Sequence, residues 1–264
     1  MTFKVKAFIC DAPAKSSIKL IKGHIGYFSC SKCTQEGEFI NNTICFTEIN
    51  FTKRTDDDFF LKKQAEHDTS TSILQEIPNI GLVSSFPLDY MHLLCLGVMK
   101  KLLVSLWCCG KPPNKLSFHQ IDQISNSLTV QSANIPSEFC RKPRTLKEVN
   151  RWKATELRQF LLYTGPIVLK SILPKKHYLN FLSLHISIRI LCSPISNSDE
   201  VLQYAHSLLV YFVETFSLMY GNQFLSHNVH NLLHIANYVK HFGNLDSFSA
   251  FPFENYMQTL KKIC

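Results

Sequence analysis

The chain has 264 residues, 45% of them hydrophobic, with Lys+Arg exceeding Asp+Glu by 28 to 20 for a net charge of +8. That composition is enough for a substantial core and excludes a disordered chain, and its basic balance favours a polyanionic partner. No run reaches the ~18 uninterrupted apolar residues of a membrane span; "SLLVYFVETFSLMY" is broken by Glu214 and reads as a buried helix, and the N-terminus lacks a signal-peptide apolar region. Ten cysteines without such a signal point to reduced thiols and metal binding.

Residues 3–10 become continuously apolar and predict a buried strand that delivers Asp11 at its end. "GYFSCSKCTQEGEFINNTICF" predicts short strands joined by turns, with Asn41-Asn42 at a hairpin tip. Residues 47–87 are polar and irregular, and the triplet Asp56–Asp58 within them reads as a solvated loop. Helical periodicity starts after Asp89 with "HLLCLGVMKKLLVSLW" and stops before "CCGKPP". Ser117 and Gln120 have capping-box spacing, as do Thr145 and Glu148 ahead of "VNRWKATELRQFLLYT", and Gly165-Pro166 is expected to break that helix. Residues 175–192, 199–220 and 227–242 predict three further helices, with Gly221 and Gly243 as their terminators. A last short helix begins near "PFENYMQTLKKI".

Several residue groups carry candidate chemistry. Cys30-x-x-Cys33 in a turn-rich hairpin is half of a zinc site. His230 and His234, four apart on a predicted helix, project from one face with the spacing that presents two imidazoles to zinc. Together the four make a complete Cys₂His₂ set; the plain alternative is ordinary thiols and core histidines. Asp89 and His92 lie one turn apart at a helix start, either as cap and buried histidine or as a carboxylate–imidazole pair on one site. Glu254 is either a first-turn acid favoured by the helix dipole or a metal-binding carboxylate. Arg141, Lys142, Arg144, Lys147, Arg151, Lys153 and Arg158 surround Trp152, a pattern suited to DNA backbone with one stacking side chain, or to a solvated helix with the tryptophan in the core. A Gly-rich phosphate loop is absent, and no cysteine sits in a tight Gly-flanked turn of the kind that activates a nucleophile.

The blocks "CDAPA", "GYFSCSKC", "FPLDYMHLLCLGVMK", "NVHNLLHIANYVKHFG" and "FPFENYMQTLKK" occur in the order seen in CACTA (En/Spm)-type DNA transposases. The chain resembles the animal transposase-domain proteins of that group, and its motif order is also similar to the Transib and V(D)J recombinase catalytic core. The resemblance implies an α+β, predominantly helical protein: a partial RNase H-like front end with the CxxC hairpin (1–91), an all-helical insertion (92–245) and a closing catalytic-core helix (246–264). It implies that Asp11 and Glu254 are the second and third acids of a DDE triad, with Asp89 and His92 in support. It further implies one structural Zn²⁺ on Cys30, Cys33, His230 and His234, ancestral two-Mg²⁺ phosphoryl transfer on double-stranded DNA, nuclear localisation, and homo-oligomers, with no membrane and no small-molecule substrate. The first acid belongs on a strand upstream of Asp11, and only ten residues precede it, so the chain is expected to be a truncated or degenerate transposase without activity. The alternative expectation is a host-retained, non-catalytic DNA- or protein-binding module.

Overall fold

The computed structural model describes residues 5–194 and 198–263. In chain order the elements are α1 (Ala12–Lys19), β1 (Glu38–Ile40), β2 (Thr43–Cys45), α2 (Asp56–Phe60) and α3 (Met91–Cys108). They continue with α4 (Phe118–Ser132), α5 (Ala154–Gln159), α6 (Gly165–Leu169), α7 (Lys175–Leu191), α8 (Asp199–Tyr220), α9 (His227–Phe242) and α10 (Phe251–Ile263). The protein is thus α+β and predominantly helical. Its one sheet among the described residues is the antiparallel pair β1–β2, in register Glu38↔Cys45 and Ile40↔Thr43. Asn41 and Asn42 form its tip, both with positive φ (47° and 63°), the conformation a two-residue hairpin of primed type demands and asparagine tolerates.

Of the strand expected over residues 3–10, residues 3 and 4 lie outside the described residues, and no strand is formed over 5–10. Residues 5–10 run without regular structure, attached to the body where Phe8 N–H donates to Ser85 C=O at 2.8 Å. An apolar run cannot become a strand without a partner ladder, and the neighbouring segment 80–87 is itself turn-rich. Phe8 instead stacks on Phe86, ring centroids 4.8 Å apart, over a small cluster of Ile21, Phe59, Leu82 and Val83. The Asp triplet is also more ordered than a solvated loop. Thr55 and Asp58 cap α2 reciprocally, and the Asp56 carboxylate accepts from Val83 and Ser84 N–H.

The main core is built by α3 and the helices around it. α3 is wound in the wide i→i+5 form and buries Leu93, Leu94, Val98, Leu102, Leu106 and Trp107, among others. By length and composition α3, rather than the 207–220 segment, is the helix apolar enough to cross a membrane; here it lies inside the core. Gly97 lets α9 approach it closely, since a Cβ there would meet the Asn228 side chain at 2.4 Å. Ser117 and Gln120 make both bonds of the expected capping box on α4. The Thr145 and Glu148 pair does not cap: Thr145 precedes a 3₁₀ turn, Glu148 is drawn to Arg144, and Glu156 accepts from Lys153 N–H to start α5. The glycines after α8 and α9 terminate them as expected, with φ of 96° at Gly221 and 89° at Gly243.

Gly165-Pro166 does not break its helix either. α5 continues into α6 through a π-helical turn, Phe160–Thr164. Proline has no N–H, so the carbonyls of Leu161 and Leu162, which would accept from residue 166 in π and α geometry, lose their intrahelical donor. α7 supplies replacements: His185 Nδ1 lies 2.8 Å from Leu161 O, and Arg189 donates to Leu162 O at 3.2 Å. The proline is tolerated because the packed neighbour satisfies what it leaves open.

α10 differs from the other helices. Phe253, Tyr256, Met257, Leu260 and Ile263 are all exposed on it. Its start is nevertheless fixed, because Ala250 N–H donates to Asp89 and Tyr90 packs edge-on against Phe251.

His185→Ala strands the Leu161 carbonyl and should cost about 1–3 kcal/mol. Pro166→Ala in the same chain returns an N–H to the helix, so the double variant should recover part of that loss. Urea unfolding of the two single variants and the double variant reads this as a non-additive cycle.

Candidate metal centre and acidic site

The CxxC turn is held by backbone contacts before any side chain is considered. Lys32 N–H donates to Cys30 Sγ at 3.4 Å, Arg54 N–H donates to Lys32 O, and Thr34 N–H to Thr52 O. The buried Arg54 guanidinium donates to the carbonyls of Cys30 and Cys33. β2 leads into Phe46, whose N–H donates to Leu225 O, tying the hairpin to the segment that opens α9. On α9 the i, i+4 spacing then delivers His230 and His234, both fully buried, to the two sulfurs.

The ligand atoms of Cys30, Cys33, His230 and His234 all lie within 4.8 Å of one another. The separations are 3.5 Å between the sulfurs and 3.3 Å from each sulfur to His230 Nε2. Cys30 Sγ to His234 Nε2 is 3.6 Å, and the two Nε2 atoms are 3.2 Å apart. Tetrahedral zinc with bonds of about 2.0–2.3 Å has ligand–ligand edges of about 3.3–3.8 Å. Five of the six edges match that within about 0.3 Å, so the group can hold a tetrahedral metal ion such as zinc. Its surroundings support the ligands: Phe46 stacks on His230 with centroids 5.0 Å apart, Phe51 packs on His234 at 4.6 Å, and the Gln35 amide meets His230 Nδ1 at 3.1 Å.

The electrostatics agree with the geometry. Burial opposes ionisation of Cys30, but the Cys33 thiol donating to it and the two imidazoles beside it outweigh that and pull it well below a normal thiol. Cys33 moves up, because it donates to Cys30 and is itself buried. Burial lowers His234, leaving it neutral, the form that ligates metal.

The predicted acids gather around a different feature, a cavity of about 200 Å³ lined by Asp11, Asp89 and His92 together with Lys15. Asp11 is the N-cap of α1, with Oδ1 accepting from Ala14 N–H at 2.7 Å. Asp89 is buried and accepts four hydrogen bonds, from Met91 N, His92 N, His92 Nδ1 and Ala250 N. It is therefore both the cap of α3 and the partner of His92, at 2.6 Å. That bond, opposed by partial burial and reinforced by the charges of Asp89, Asp11 and Glu254, raises the His92 pKa. Glu254 stands exposed in the first turn of α10, within electrostatic reach of His92. Among the described residues, the Cys₂His₂ set is the one group of three or more such side chains that could share a metal ion; Asp11, Asp89 and Glu254 do not form another.

The basic segment is only partly tied into the fold. Trp152 is 4% exposed and packs on Phe160, so it is a core residue and has no free face for stacking on a base. Arg144 pairs with Glu156 and Glu148, Lys147 with Asp122, and Arg158 with Asp246 and Tyr90. Arg141, Lys142, Arg151 and Lys153 remain exposed.

Sequence reasoning missed the buried cations. Lys15 donates to Pro87 O, Lys32 donates to Val83 O and Phe86 O, and Lys19 lies over the rings of Phe59 and Phe86. No periodic signal marks them, because lysines at those positions read as solvated residues. No family model, curated protein or solved structure matches this chain.

The purified protein should carry one equivalent of zinc, measured by atomic emission, and Cys33→Ser should carry far less. Binding of a structural zinc is worth about 10–16 kcal/mol, comparable with the whole stability of a domain, so a chelator should lower the thermal midpoint by at least about 20 °C or unfold the chain. A separate expectation concerns the dyad. Asp89 raises the His92 pKa, so its contribution to stability is fully present below the unfolded value near 6.5 and is lost as pH rises through the higher folded value. Asp89→Asn should return the His92 titration, followed by NMR, toward or below 6.5.

Proposed function

We propose that this chain derives from a CACTA-type transposase and binds DNA without cutting it. One observation carries the reading: Cys30 and Cys33 meet His230 and His234 in a tetrahedral arrangement across about 200 residues of sequence. A general-purpose helical protein has no reason to assemble that group, whereas the motif order of the resemblance calls for it. The same order makes Asp11 and Glu254 acids of an RNase H-like site and helices α3–α9 its insertion, with zinc as the resident ion.

The ancestral reaction would be Mg²⁺-dependent cleavage and strand transfer, with carboxylates holding two ions about 4 Å apart. The geometry speaks against retention of that chemistry. Asp89, the buried acid beside Asp11, has its carboxylate committed to four donors and would have to give up the cap of α3 to bind a metal. Lys15, also lining the cavity, adds a charge that opposes a second cation. A non-catalytic binding module fits the remaining features: a metal clip on a rigid helical body, and exposed Arg141, Lys142, Arg151 and Lys153 on a basic chain.

Supercoiled plasmid incubated with the protein and Mg²⁺ or Mn²⁺ tests this directly. The expected rate of nicking equals that of the Asp11→Asn/Glu254→Gln variant. Metal-dependent nicking that disappears in Glu254→Gln would falsify the inactive reading and establish a working phosphoryl-transfer site.

A further inference from the structure

A second cavity, of about 550 Å³, opens beside the metal centre, with His234 in its lining. Its wall includes Lys6, Lys32, Lys53, Arg54, Ser84 and His241, and no carboxylate lines it. The metal ligand His234 also forms part of the wall, so the cavity is built on the segment that the clip makes rigid. Asp56, behind the same wall, is occupied by the N–H groups of Val83 and Ser84.

The cations differ in what already holds them. Lys32 is buried, donates to Val83 O and Phe86 O, and lies 4.5 Å from the Tyr238 ring centroid; it is part of the wall. Arg54 is 94% buried, from a 6% exposure, and its Nη2 is used by the Cys30 and Cys33 carbonyls and by Gln64. Its Nε–H has no partner. Lys6 and Lys53 are exposed at the mouth, and among the described residues neither makes an ion pair. Elsewhere on this chain arginines and lysines of the basic segment are matched by Glu148, Glu156, Asp122 and Asp246. Here Lys6 and Lys53 face one concavity whose lining holds no carboxylate, the acids that act on Lys32 and Arg54 (Asp56, Asp58 and Asp68) lying outside that lining. Such an arrangement is repulsive until an anion enters, and focusing of field lines by the low-dielectric walls favours one with several acceptor oxygens.

We propose that this cavity is a phosphate-binding site, in which Lys6 and Lys53 engage the oxygens of a backbone phosphate of DNA and Arg54 fixes the floor. The phosphate site stands on the cavity alone; its assignment to DNA rests on the function proposed above. It differs from the exposed 141–153 stretch in being concave and anchored to the metal clip.

The test uses the full chain, zinc-loaded, and three proteins: wild type, Lys6→Gln/Lys53→Gln, and Lys261→Gln/Lys262→Gln as a charge-matched control on α10. Both pairs are exposed, so unchanged thermal midpoints confirm intact folds. DNA affinity is measured by fluorescence anisotropy over a range of salt, and inorganic phosphate binding by calorimetry. Each phosphate contact contributes about 0.9 to the slope of log affinity against log salt. A slope shallower by about 1 in the Lys6/Lys53 variant only, with phosphate binding lost in the same variant, is the expected result. Equal slopes in all three, or equal losses in both variants, would overturn the site while leaving DNA binding intact. Phosphate binding that depends on Lys6 and Lys53 in a chain that ignores DNA would support the site, with free phosphate as its ligand, and overturn the DNA reading. Absence of both kinds of binding would overturn both.

Discussion

The fold depends on one meeting of side chains. Two thiols from a hairpin and two imidazoles from α9 converge in a buried, nearly anhydrous space, where four unliganded polar groups would be expensive to keep. A metal ion bound there would convert that cost into a strong link between the hairpin and α9. It also explains why the front part of the molecule can be ordered with so little regular structure. Between α1 and α3 there are only one two-stranded sheet and short helical turns, and a stretch that poor in backbone ladders needs a fastener.

Around that link the molecule spends an unusual number of buried cations. Lys15, Lys19, Lys32 and Arg54 are all nearly inaccessible. Burial lowers the pKa of Lys15 to about 8 and those of Lys19 and Lys32 well below the usual lysine value. Carbonyl acceptors and aromatic faces supply the rest of their environment: Pro87 O for Lys15, the Tyr238 ring for Lys32, and Phe59 and Phe86 for Lys19. The acids are distributed differently. Asp89 satisfies four donors and orients His92, whereas Glu254 remains at the surface, so the two are not interchangeable as metal ligands even though both stand near the same histidine.

Local rules served well where the chain is governed by local physics. The Ser117–Gln120 box, the Asn41-Asn42 tip, and the Gly221 and Gly243 terminators follow from hydrogen-bond spacing and φ preferences that act over a few residues. They failed where a distant partner intervenes. Thr145 and Glu148 have capping spacing, but Arg144 captures the glutamate. Pro166 should end a helix, but His185 and Arg189 on α7 donate to the carbonyls it orphans. The apolar run before Asp11 has strand composition, and finds no ladder to join.

The amino-acid sequence by itself determined the helical character of the body, the bounds of α7, α8 and α9 to within a residue, and the identity of the four side chains of the candidate metal centre. Periodicity and i, i+4 spacing are properties of a single segment, and the motif order carried the pairing of the two halves. Only the tertiary structure decided that five of the six ligand–ligand separations are tetrahedral, that Trp152 is core, and that Asp89 is saturated by donors. It alone revealed the basic cavity beside His234. Those facts depend on which segments pack together and on which charges find partners there, and neither quantity is written in any local stretch of the chain.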